Sequence, residues 1–342
     1  MKKIVGQIAI NMQSVYLVLN DTCNLACQQC IRTNIKSYHG LLTEERGMYI
    51  LRSLVSVFPN AGIVLTGGEP LLNPNWETIC KEAISLFSRV CICSNGIISN
   101  ENITKLKSLL TVGRLYIQIS IDGDEYGDYI IRGDEHYKKA FSSLASFQDY
   151  DQRIIVSTTV NRKNINSIPA LVDTLNHFNF AYWKLSWCQS TNPLNDPDEI
   201  PYNDWNNFVD KVINKCSFEV HTSHLFDTHL WDNAIEAGLK SNNFAISNCG
   251  YGTQKLYIFP NGDVCPCSCD SKKYGNIFTD DISEIWQEIR PITIPQDSIC
   301  SLCKYSIICN SGCPGYSIKV FGKIGYGDIR CPIIKQYYDS QH

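Results

Sequence analysis

Short apolar runs alternate with longer mixed stretches through the first half of the chain. Apolar runs bounded by Gly, Asn, Asp or Ser predict buried strands, and they cover residues 15–20, 62–66, 90–93, 114–121, 153–160 and 182–188. The stretches between the strands predict helices over residues 44–58 (with Thr43 as N-cap), 75–88, 101–110, 136–149 and 167–178. Six strands alternating with helices predict an α/β fold in which a parallel sheet curls into a partial (β/α)6 barrel.

Polar residues and glycines recur where the predicted strands end. These positions are Cys23–Cys30, Gly67–Pro70, Ser94–Asn95, Ser120–Asp122, Val160–Asn161 and Cys188–Gln189. In barrels of parallel strands the functional residues gather at the carboxyl ends of the strands. A purely structural sheet does not need this pattern, so we expect these ends to line one cavity.

The chain after the sixth predicted strand is less regular. A proline-containing linker is followed by a predicted helix over residues 205–216. We therefore predict three parts. They are a partial barrel over residues 1–190, a bridging helical region over 191–245 and a cysteine-rich domain over 246–342.

Length and charge exclude several classes of protein. The chain has 342 residues, 44% of them hydrophobic, which suits one large domain and a smaller one. A net charge of −4 provides no basic surface for nucleic acid. No stretch approaches the roughly 18 apolar residues needed to cross a membrane, and the polar N-terminus is unlike a secretory signal. We expect a cytoplasmic protein whose partners include neither nucleic acid nor membrane.

Seventeen cysteines are the outlier in the composition. In a reducing cytosol clustered cysteines bind metals more often than they form disulfides. Cys23, Cys27 and Cys30 follow the first predicted strand with the spacing CX3CX2C. A structural zinc site normally has four ligands, and an electron-carrying iron–sulfur cube takes four cysteines. Three thiolates on one loop predict instead a cube with one open iron, available to a substrate or cofactor.

The CX3CX2C loop and the later Gly67-Gly68-Glu69-Pro70 segment together resemble the radical S-adenosylmethionine (SAM) enzymes. The resemblance implies that the open iron chelates SAM, and that reductive cleavage of SAM gives a 5′-deoxyadenosyl radical that abstracts hydrogen from carbon. The cofactor performs this chemistry, and the protein orients the cofactor toward the substrate. Gln29 departs from the family, which usually has an aromatic residue just before the third cysteine. We expect altered packing around SAM there and an intact cluster.

The same resemblance assigns the SAM contacts. The residues so assigned are Gly67, Gly68, Glu69, Ser94, Asn95, Ser120, Asp122 and Arg132. It implies that the glycine segment, whose backbone can approach a ligand closely, takes the methionine amino group. It also implies that Ser120, Asp122 and Arg132 hold the ribose and carboxylate, since an arginine fork suits a carboxylate. The alternatives are an exposed surface charge for Arg132 and a plain strand-to-helix turn for Ser94 and Asn95.

A second cysteine array occupies the C-terminal region. It runs Cys249-X12-Gly262-X4-Cys267, then Cys300-X2-Cys303-X5-Cys309-X3-Cys313, then Cys331. This array resembles the SPASM extension of radical SAM enzymes, which binds two auxiliary iron–sulfur clusters. In the family, the ligands of the two clusters interleave along the chain. The resemblance therefore assigns Cys249, Cys267 and Cys313 to the first cluster. It assigns Cys300, Cys303, Cys309 and Cys331 to the second. The fourth ligand of the first cluster is Cys265 or Cys269. The third alternative is that the fourth iron has no protein ligand and is open to substrate. The alternative for the whole array is structural zinc.

The remaining cysteines differ in position. Cys80, Cys91 and Cys93 suit a helix or strand core, where free cysteine acts as a small hydrophobe. Cys188 ends a predicted strand and faces the predicted cavity. It can donate a hydrogen atom to a substrate radical, as cysteines do in radical epimerases, or it can simply pack.

Proteins that resemble SPASM enzymes mostly modify peptides or proteins, so the resemblance predicts a maturase that forms a side-chain crosslink in a ribosomally made peptide. A formylglycine-forming sulfatase maturase is an alternative, but Ser268 stands where those enzymes carry a catalytic aspartate. A peptide epimerase, radical oxidation of a small molecule and a non-enzymatic redox or zinc protein also remain open.

The predicted cofactors are SAM and three [4Fe–4S] clusters, one that binds SAM and two auxiliary ones. An electron donor such as flavodoxin or ferredoxin is expected as a partner. The first predicted strand begins near residue 15, which leaves no room before it for a leader-binding domain. We therefore expect a leader peptide, if the substrate has one, to be bound by a separate protein or by the barrel.

Overall fold

A computed structural model describes residues 14–31, 40–190, 192–236, 251–252, 254–268, 272–289 and 293–341. Its strands are β1 Ser14–Val18, β2 Gly62–Thr66, β3 Val90–Ser94, β4 Leu115–Ser120, β5 Ile154–Val160, β6 Tyr182–Trp187, β7 Val220–His221, β8 Lys255–Ile258, β9 Asp263–Cys265 and β10 Gly275–Asn276. They form one sheet in the order β10-β9-β8-β1-β2-β3-β4-β5-β6-β7. Strands β1 to β6 are parallel, so the predicted α/β fold is confirmed.

Helices follow most of the parallel strands. They are α1 Glu44–Val57, α2 Trp76–Leu86, α3 Asn100–Leu110, α4 Glu125–Arg132, α5 His136–Ser146, α6 Ile168–Leu175, α7 Tyr202–Ile213, α8 Thr228–Glu236, α9 Ile282–Ile289, α10 Ser306–Cys309, α11 Pro314–Phe321 and α12 Pro332–Gln341. Short 3-10 segments cover Pro70–Leu72, Gln148–Arg153, Ile165–Ser167 and Ile299–Leu302. The Thr43 hydroxyl accepts a hydrogen bond from the Arg46 amide and begins α1, as the sequence predicts.

The sequence analysis missed helix α4, which lies between β4 and α5. Asp124 is its N-cap and accepts a hydrogen bond from the Gly127 amide at 2.8 Å. Gly133 ends the helix with φ 97°, a conformation that glycine adopts without strain. Both signals are typical of helix ends, so the missed helix was predictable from the sequence.

The sheet extends beyond the six predicted strands at both edges. Strand β7 pairs with β6, and β8 pairs in parallel with β1, so that Ser14 lies opposite Lys255. Strands β9 and β10 continue that edge in antiparallel orientation. Segments from the predicted bridging region and the predicted C-terminal domain therefore complete the sheet. The boundaries at residues 190 and 245 stay a prediction.

The two faces of the parallel sheet differ in polarity. One face is apolar and packs against the helices; its buried side chains include Leu17, Ile63, Ile92, Ile117 and Trp183. The opposite face, called the inner face below, is half-buried and more polar; it carries Tyr16, Val64, Cys91, Cys93, Tyr116, Gln118, Tyr182 and Lys184. Cross-strand register places these residues in shared rows, because Cys91 lies opposite Tyr116 and Cys93 opposite Gln118.

Cys91 and Cys93 correct the sequence analysis, which placed them in the core. Val90 and Ile92 occupy the helix-packed face of β3, and side chains alternate along a strand, so both thiols face the other way. Cys80 on α2 is fully buried in the core, as predicted. Within the described helices, none is long and apolar enough to cross a membrane.

Candidate active site

The paired glycines hold the cysteine loop in place. The Gly68 amide donates to the Asn20 carbonyl at 2.8 Å, and the Glu69 amide donates to the Thr22 carbonyl at 2.8 Å. A Cβ on Gly68 would lie 2.3 Å from the Thr22 carbonyl oxygen, and one on Gly67 2.6 Å from that of Asn20. The two glycines therefore allow their backbone to approach the backbone of the segment that leads into Cys23.

Glu69 joins the loops that follow β2 and β3. Its carboxylate is buried and accepts hydrogen bonds from the Asn95 amide at 2.7 Å and from the Leu71 amide at 3.2 Å. Burial raises the pKa of the Glu69 carboxyl to about 7. This side chain thus fixes backbone at the carboxyl ends of two neighbouring strands.

Asn95 connects the loop after β3 to the cysteine loop. Its Nδ2 donates to the Asn24 Oδ1 at 2.7 Å and lies 3.8 Å from the Cys23 Sγ. Ser94 is buried, and its Oγ accepts from the Gly96 amide at 3.1 Å. Ser94 therefore stabilises the turn, whereas Asn95 contacts the candidate cluster loop directly.

Asp122 and Arg132 form a largely buried ion pair. The Arg132 Nε donates to the Asp122 Oδ2 at 2.7 Å, and the Arg132 side chain is 11% exposed. The Arg132 Nη1 lies 4.0 Å from the Cys27 Sγ. The alternative of an exposed surface charge is therefore wrong for Arg132. Its guanidinium lies beside the cysteine loop, within reach of an anionic group bound there.

Asp122 has further partners, which the sequence did not reveal. The Thr159 amide donates to its Oδ1 at 2.7 Å, and burial raises the pKa of its carboxyl against the opposing effect of Arg132. Ser120, the last residue of β4, is half-buried in the same inner-face row as Ser157. The ends of β4 and β5 thus meet at the Asp122 carboxylate.

Gln29 fills the position where the resembled family usually has an aromatic residue. Its Nε2 donates to the Asp122 Oδ2, and its Oε1 is buried without a hydrogen-bond partner among the described residues. A buried acceptor without a donor is unfavourable, so a donor on a bound molecule would satisfy it. The cysteine loop and its surroundings thus fit a polar cofactor.

A buried histidine and aspartate, which the sequence analysis did not select, lie behind these residues. The His136 Nε2 meets the Asn95 carbonyl oxygen at 2.5 Å, and its Nδ1 meets the Asp128 Oδ1 at 2.5 Å. The Asp122 amide donates to the Asp128 Oδ2 at 2.9 Å. A carbonyl only accepts, so the His136 Nε2 carries a proton. No local motif signals this pair, because its members lie on two separate helices and the Asn95 carbonyl is 41 positions from His136.

Cys188 lies at the end of β6 and is half-buried. Its amide donates to the Val160 carbonyl at 2.8 Å. Burial raises the pKa of the Cys188 thiol to about 12, and the charges of Asp122 and Asp196 act in the same direction. At neutral pH the Cys188 side chain is therefore a protonated thiol.

Four cysteines of the C-terminal array surround one cavity of about 70 Å³. Cys300, Cys303, Cys309 and Cys331 line it together with Trp231, Phe226 and Tyr305. These four are the set that the sequence assigns to the second auxiliary cluster. Burial raises the pKa of the Cys300 thiol to about 11, with additional contributions from Cys331 and Cys303. The donor set, four thiols around one apolar cavity, fits an iron–sulfur cluster.

The set assigned to the first auxiliary cluster is only partly described. Cys249 and Cys269 lie outside the described residues. Cys265 packs with Val18 and Phe259, whereas Cys313 packs with Cys300 and Tyr316. Cys267 is half-buried just after β9. In the part of the chain that the structure describes, no three Cys, His, Asp or Glu side chains converge on a single metal ion.

Two family models match the chain. The Radical SAM superfamily model covers residues 17–175, and the SPASM iron–sulfur cluster-binding domain model covers residues 249–306. The first match contains the cysteine loop, the paired glycines and the Asp122–Arg132 pair. The second contains Cys265, Cys267, Cys300 and Cys303.

Individual proteins are similar over most of the chain. The sporulation killing factor maturation protein SkfB of Bacillus subtilis is 25% identical over 81% of this chain, which spans 65% of that protein's length. The AdoMet-dependent heme synthase of Methanosarcina barkeri is 22% identical over 85% of this chain and 88% of its own. The crystal structure of Streptococcus suis SuiB bound to precursor peptide SuiA has a TM-score of 0.73 at 17% identity and covers 95% of this chain and 77% of SuiB. At that identity the likeness shows the fold alone.

Proposed function

Because this chain is a radical SAM enzyme with a C-terminal SPASM domain, we propose that it is a peptide maturase that forms a side-chain crosslink. The bond is carbon–carbon or thioether, and the substrate is a ribosomally made peptide. The observation that carries the proposal is the similarity to SkfB, a maturation protein, over 81% of the chain. The fold shared with SuiB, which has been seen with a precursor peptide, supports the same substrate class.

The residues at the strand ends have defined places in this proposal. Cys23, Cys27 and Cys30 hold the SAM-binding cluster. SAM lies against the loops of Gly67–Glu69, Ser94–Asn95, Ser120–Asp122 and Arg132. When bound, cluster and SAM supply a radical that abstracts hydrogen from a substrate carbon.

The role of the chain's own residues is to orient the cofactor and the cysteine loop and to exclude water. The Glu69 carboxylate holds the Asn95 amide, and the Asn95 side chain holds the cysteine loop. Arg132, neutralised in part by Asp122, presents the guanidinium that binds the cofactor carboxylate. The unsatisfied Gln29 Oε1 accepts a hydrogen bond from the cofactor. Since these groups are buried and mutually bonded, they are in place before the cofactor binds.

The C-terminal region completes the proposed cofactor set. Three [4Fe–4S] clusters are proposed in total. The second auxiliary cluster is held by Cys300, Cys303, Cys309 and Cys331, and the first by Cys249, Cys267, Cys313 and either Cys265 or Cys269. An electron donor such as flavodoxin or ferredoxin reduces the enzyme. A separate leader-binding protein or the barrel itself recognises the precursor.

A second candidate is radical chemistry on a small molecule. The observation that favours it is the similarity to an AdoMet-dependent heme synthase, which extends over 85% of this chain and 88% of that protein. The two candidates share the cofactor site and differ only in what the inner face of the sheet receives. They are therefore separated by substrate and not by cofactor chemistry.

The test has two stages. Anaerobically reconstituted, dithionite-reduced protein is expected to form 5′-deoxyadenosine from SAM, and a Cys23/Cys27/Cys30 triple alanine variant is expected to form none. Co-expression with a candidate precursor peptide is then expected to give a product lighter by about two hydrogens, the change that one new bond between two C–H or S–H carriers produces. Absence of 5′-deoxyadenosine would overturn the enzyme itself. Its formation with unmodified peptide and a modified tetrapyrrole would favour the second candidate.

A further inference from the structure

Two buried polar side chains at the C-terminal cavity have no hydrogen-bond partner among the described residues. They are the Trp231 Nε1 and the Ser311 Oγ. Both residues line the cavity that the four thiols of the proposed second auxiliary cluster surround, called the four-cysteine cavity below. Trp231 is 2% exposed and Ser311 3% exposed, so bulk water does not reach either group. Because an unpaired buried polar group is costly, a partner inside the cavity is expected.

Two other polar side chains that line the four-cysteine cavity are already bonded within the protein. The Arg330 guanidinium donates to the Asp328 carboxylate at 2.8 and 2.6 Å, and the Cys313 amide donates to it at 3.0 Å. The Tyr305 hydroxyl donates to the Asp232 Oδ2 at 3.3 Å. The protein thus provides partners for these groups and, in the part of the chain that the structure describes, none for Trp231 and Ser311.

The unpaired groups are hydrogen-bond donors. An indole N–H can only donate, and a serine hydroxyl can rotate to donate. At the SAM-binding end the unpaired buried atoms are instead acceptors, the Gln29 Oε1 and the Asn20 Oδ1. The matching partner in the four-cysteine cavity is therefore an acceptor. The acceptors that fit this donor set are the sulfur atoms of an iron–sulfur cluster and of its thiolate ligands.

Packing fixes the position of both donors. The Trp231 ring, on α8, meets the Phe226 ring edge-on at 6.1 Å and the Tyr305 ring at 5.3 Å. Ser311 lies in the turn between Cys309 and Cys313, with φ 61°. The apolar rings lower the local dielectric constant, which strengthens a hydrogen bond formed in the cavity. The two donors are thus held in place in surroundings where their effect on charge is large.

We propose that Trp231 and Ser311 donate hydrogen bonds to sulfur atoms of the second auxiliary cluster and thereby raise its reduction potential. This inference rests on the proposed function, because it requires the cluster assigned to the four-cysteine cavity. A reduced cluster carries one more negative charge than an oxidised one, so fixed donors stabilise the reduced form more. Neither residue ligates iron, and each acts only through the sulfur atoms.

Potentiometric titration of the cluster-loaded, full-length protein, followed by EPR spectroscopy, tests the proposal. The signal of the second auxiliary cluster is the one that Cys331→Ala removes. Trp231→Phe retains an aromatic ring and removes the N–H. At a fixed potential it is expected to lower the ratio of reduced to oxidised second cluster about tenfold, which is about 59 mV for a one-electron couple. Ser311→Ala is expected to lower the ratio as well, and the other two clusters serve as internal references.

The direction of the shift separates a lost hydrogen bond from a loosened cavity. Solvent exposure also sets the potential of an iron–sulfur cluster, and water that enters a loosened cavity would stabilise the more charged, reduced form. That effect would raise the potential, whereas loss of a donor lowers it. Tyr305→Phe is the matched control, because it removes a hydroxyl from the same cavity wall that is already bonded to Asp232. It is expected to leave the potential unchanged.

Several outcomes would overturn the proposal. They are an unchanged or raised potential in both Trp231→Phe and Ser311→Ala, and an equal shift in Tyr305→Phe. Loss of the second-cluster signal from both variants would also overturn it, since the two side chains would then serve assembly of the cluster. A wild-type protein without a signal that depends on Cys331 would remove the cluster itself. Formation of 5′-deoxyadenosine and the mass of a co-expressed peptide report separately on the proposed function.

Discussion

At Gly68 the absence of a side chain has a steric reason. A Cβ there would lie 2.3 Å from the Thr22 carbonyl oxygen, which is backbone and cannot rotate away. The Gly68 amide also donates to the Asn20 carbonyl. The loop after β2 therefore fixes the segment that leads into the cysteine loop. The paired-glycine motif and the CX3CX2C motif thus form one structural unit.

Gly68→Ala is expected to displace the cysteine loop. Relieving the clash should cost about 1–3 kcal/mol of unfolding free energy and lower the iron content, through loss of iron at the proposed site of Cys23, Cys27 and Cys30. Thermal unfolding and iron analysis of the reconstituted protein measure both effects. Gly62→Ala is the matched control, because its added Cβ meets only the flexible Arg89 guanidinium at 3.1 Å. Equal iron content in the two variants would contradict this account.

The pKa of Cys188 gives a prediction for its reactivity. Burial raises that pKa to about 12, so the thiolate fraction should increase about tenfold per pH unit throughout the range from pH 7 to 9. The rate of iodoacetamide alkylation at Cys188, followed by mass spectrometry, is expected to rise in proportion without a plateau. Cys93, whose pKa is lowered, serves as the internal reference and should level off first. A plateau for Cys188 below pH 9 would show that burial does not govern its ionisation.

Individual residues differed in how far the sequence could predict them. Arg132 and Asp122 were assignable because a family motif carries them, and the structure places them together at 2.7 Å. The departure at Gln29 was visible as well, but not its hydrogen bond to Asp122, which joins residues far apart in the chain. Cys91 and Cys93 were misplaced because an apolar run alone does not tell which face of a strand is covered by helices.

Among the elements, α4 and α5 are joined to the loop after β3 by one buried side chain. His136 bonds the Asn95 carbonyl on one side and Asp128 on the other, and both His136 and Asp128 are fully buried. The Asp122 amide donates to Asp128 in turn. The strand-end loops after β3 and β4, which lie beside the cysteine loop, are therefore held by one connected network, which resists local movement.

His136→Phe should break this network. It removes both hydrogen bonds of the imidazole and leaves the buried Asp128 Oδ1 and Asn95 carbonyl without this partner, which costs about 1–3 kcal/mol for each unsatisfied group. Thermal unfolding is expected to show this loss, and SAM affinity measured by anaerobic calorimetry is expected to fall because Asn95 and Asp122 shift. His224→Phe is the control, since His224 pairs with a largely exposed Asp210 and surface pairs contribute at most about 1 kcal/mol. Similar losses in the two variants would argue against a network role.

The elements that sequence analysis missed share a physical cause. Strands β7 and β10 have two residues each, too short for any periodicity to be seen. Their pairing depends on neighbours already in place. Strand β8 is apolar enough to be predicted as a strand. Its pairing could not be predicted, because its parallel partner β1 lies at the other end of the chain. Long strands and capped helices are thus predictable locally, and the sheet edges are not.

On the scale of the whole molecule, the cysteine-rich region and the barrel share one core. Strand β8 covers the edge of β1, and Tyr257 stacks on Tyr16 with ring centroids 4.4 Å apart. On the helix-packed side, Trp286 of α9 meets Phe58 after α1 edge-on at 5.8 Å. The C-terminal region therefore supplies part of the packing that positions the first strand, and with it the cysteine loop.

This sharing predicts that the barrel does not stand alone. A fragment of residues 1–245 would expose the edge of β1, and unpaired apolar edges promote aggregation, so we expect it to be largely insoluble and to retain little iron. In the full-length protein, Trp286→Ala is expected to cost about 3–5 kcal/mol by leaving a cavity against α1. Leu302→Ala is the matched control, because Leu302 is 89% exposed. A soluble fragment that binds a SAM-responsive cluster would show instead that the cysteine loop is positioned by the barrel strands alone.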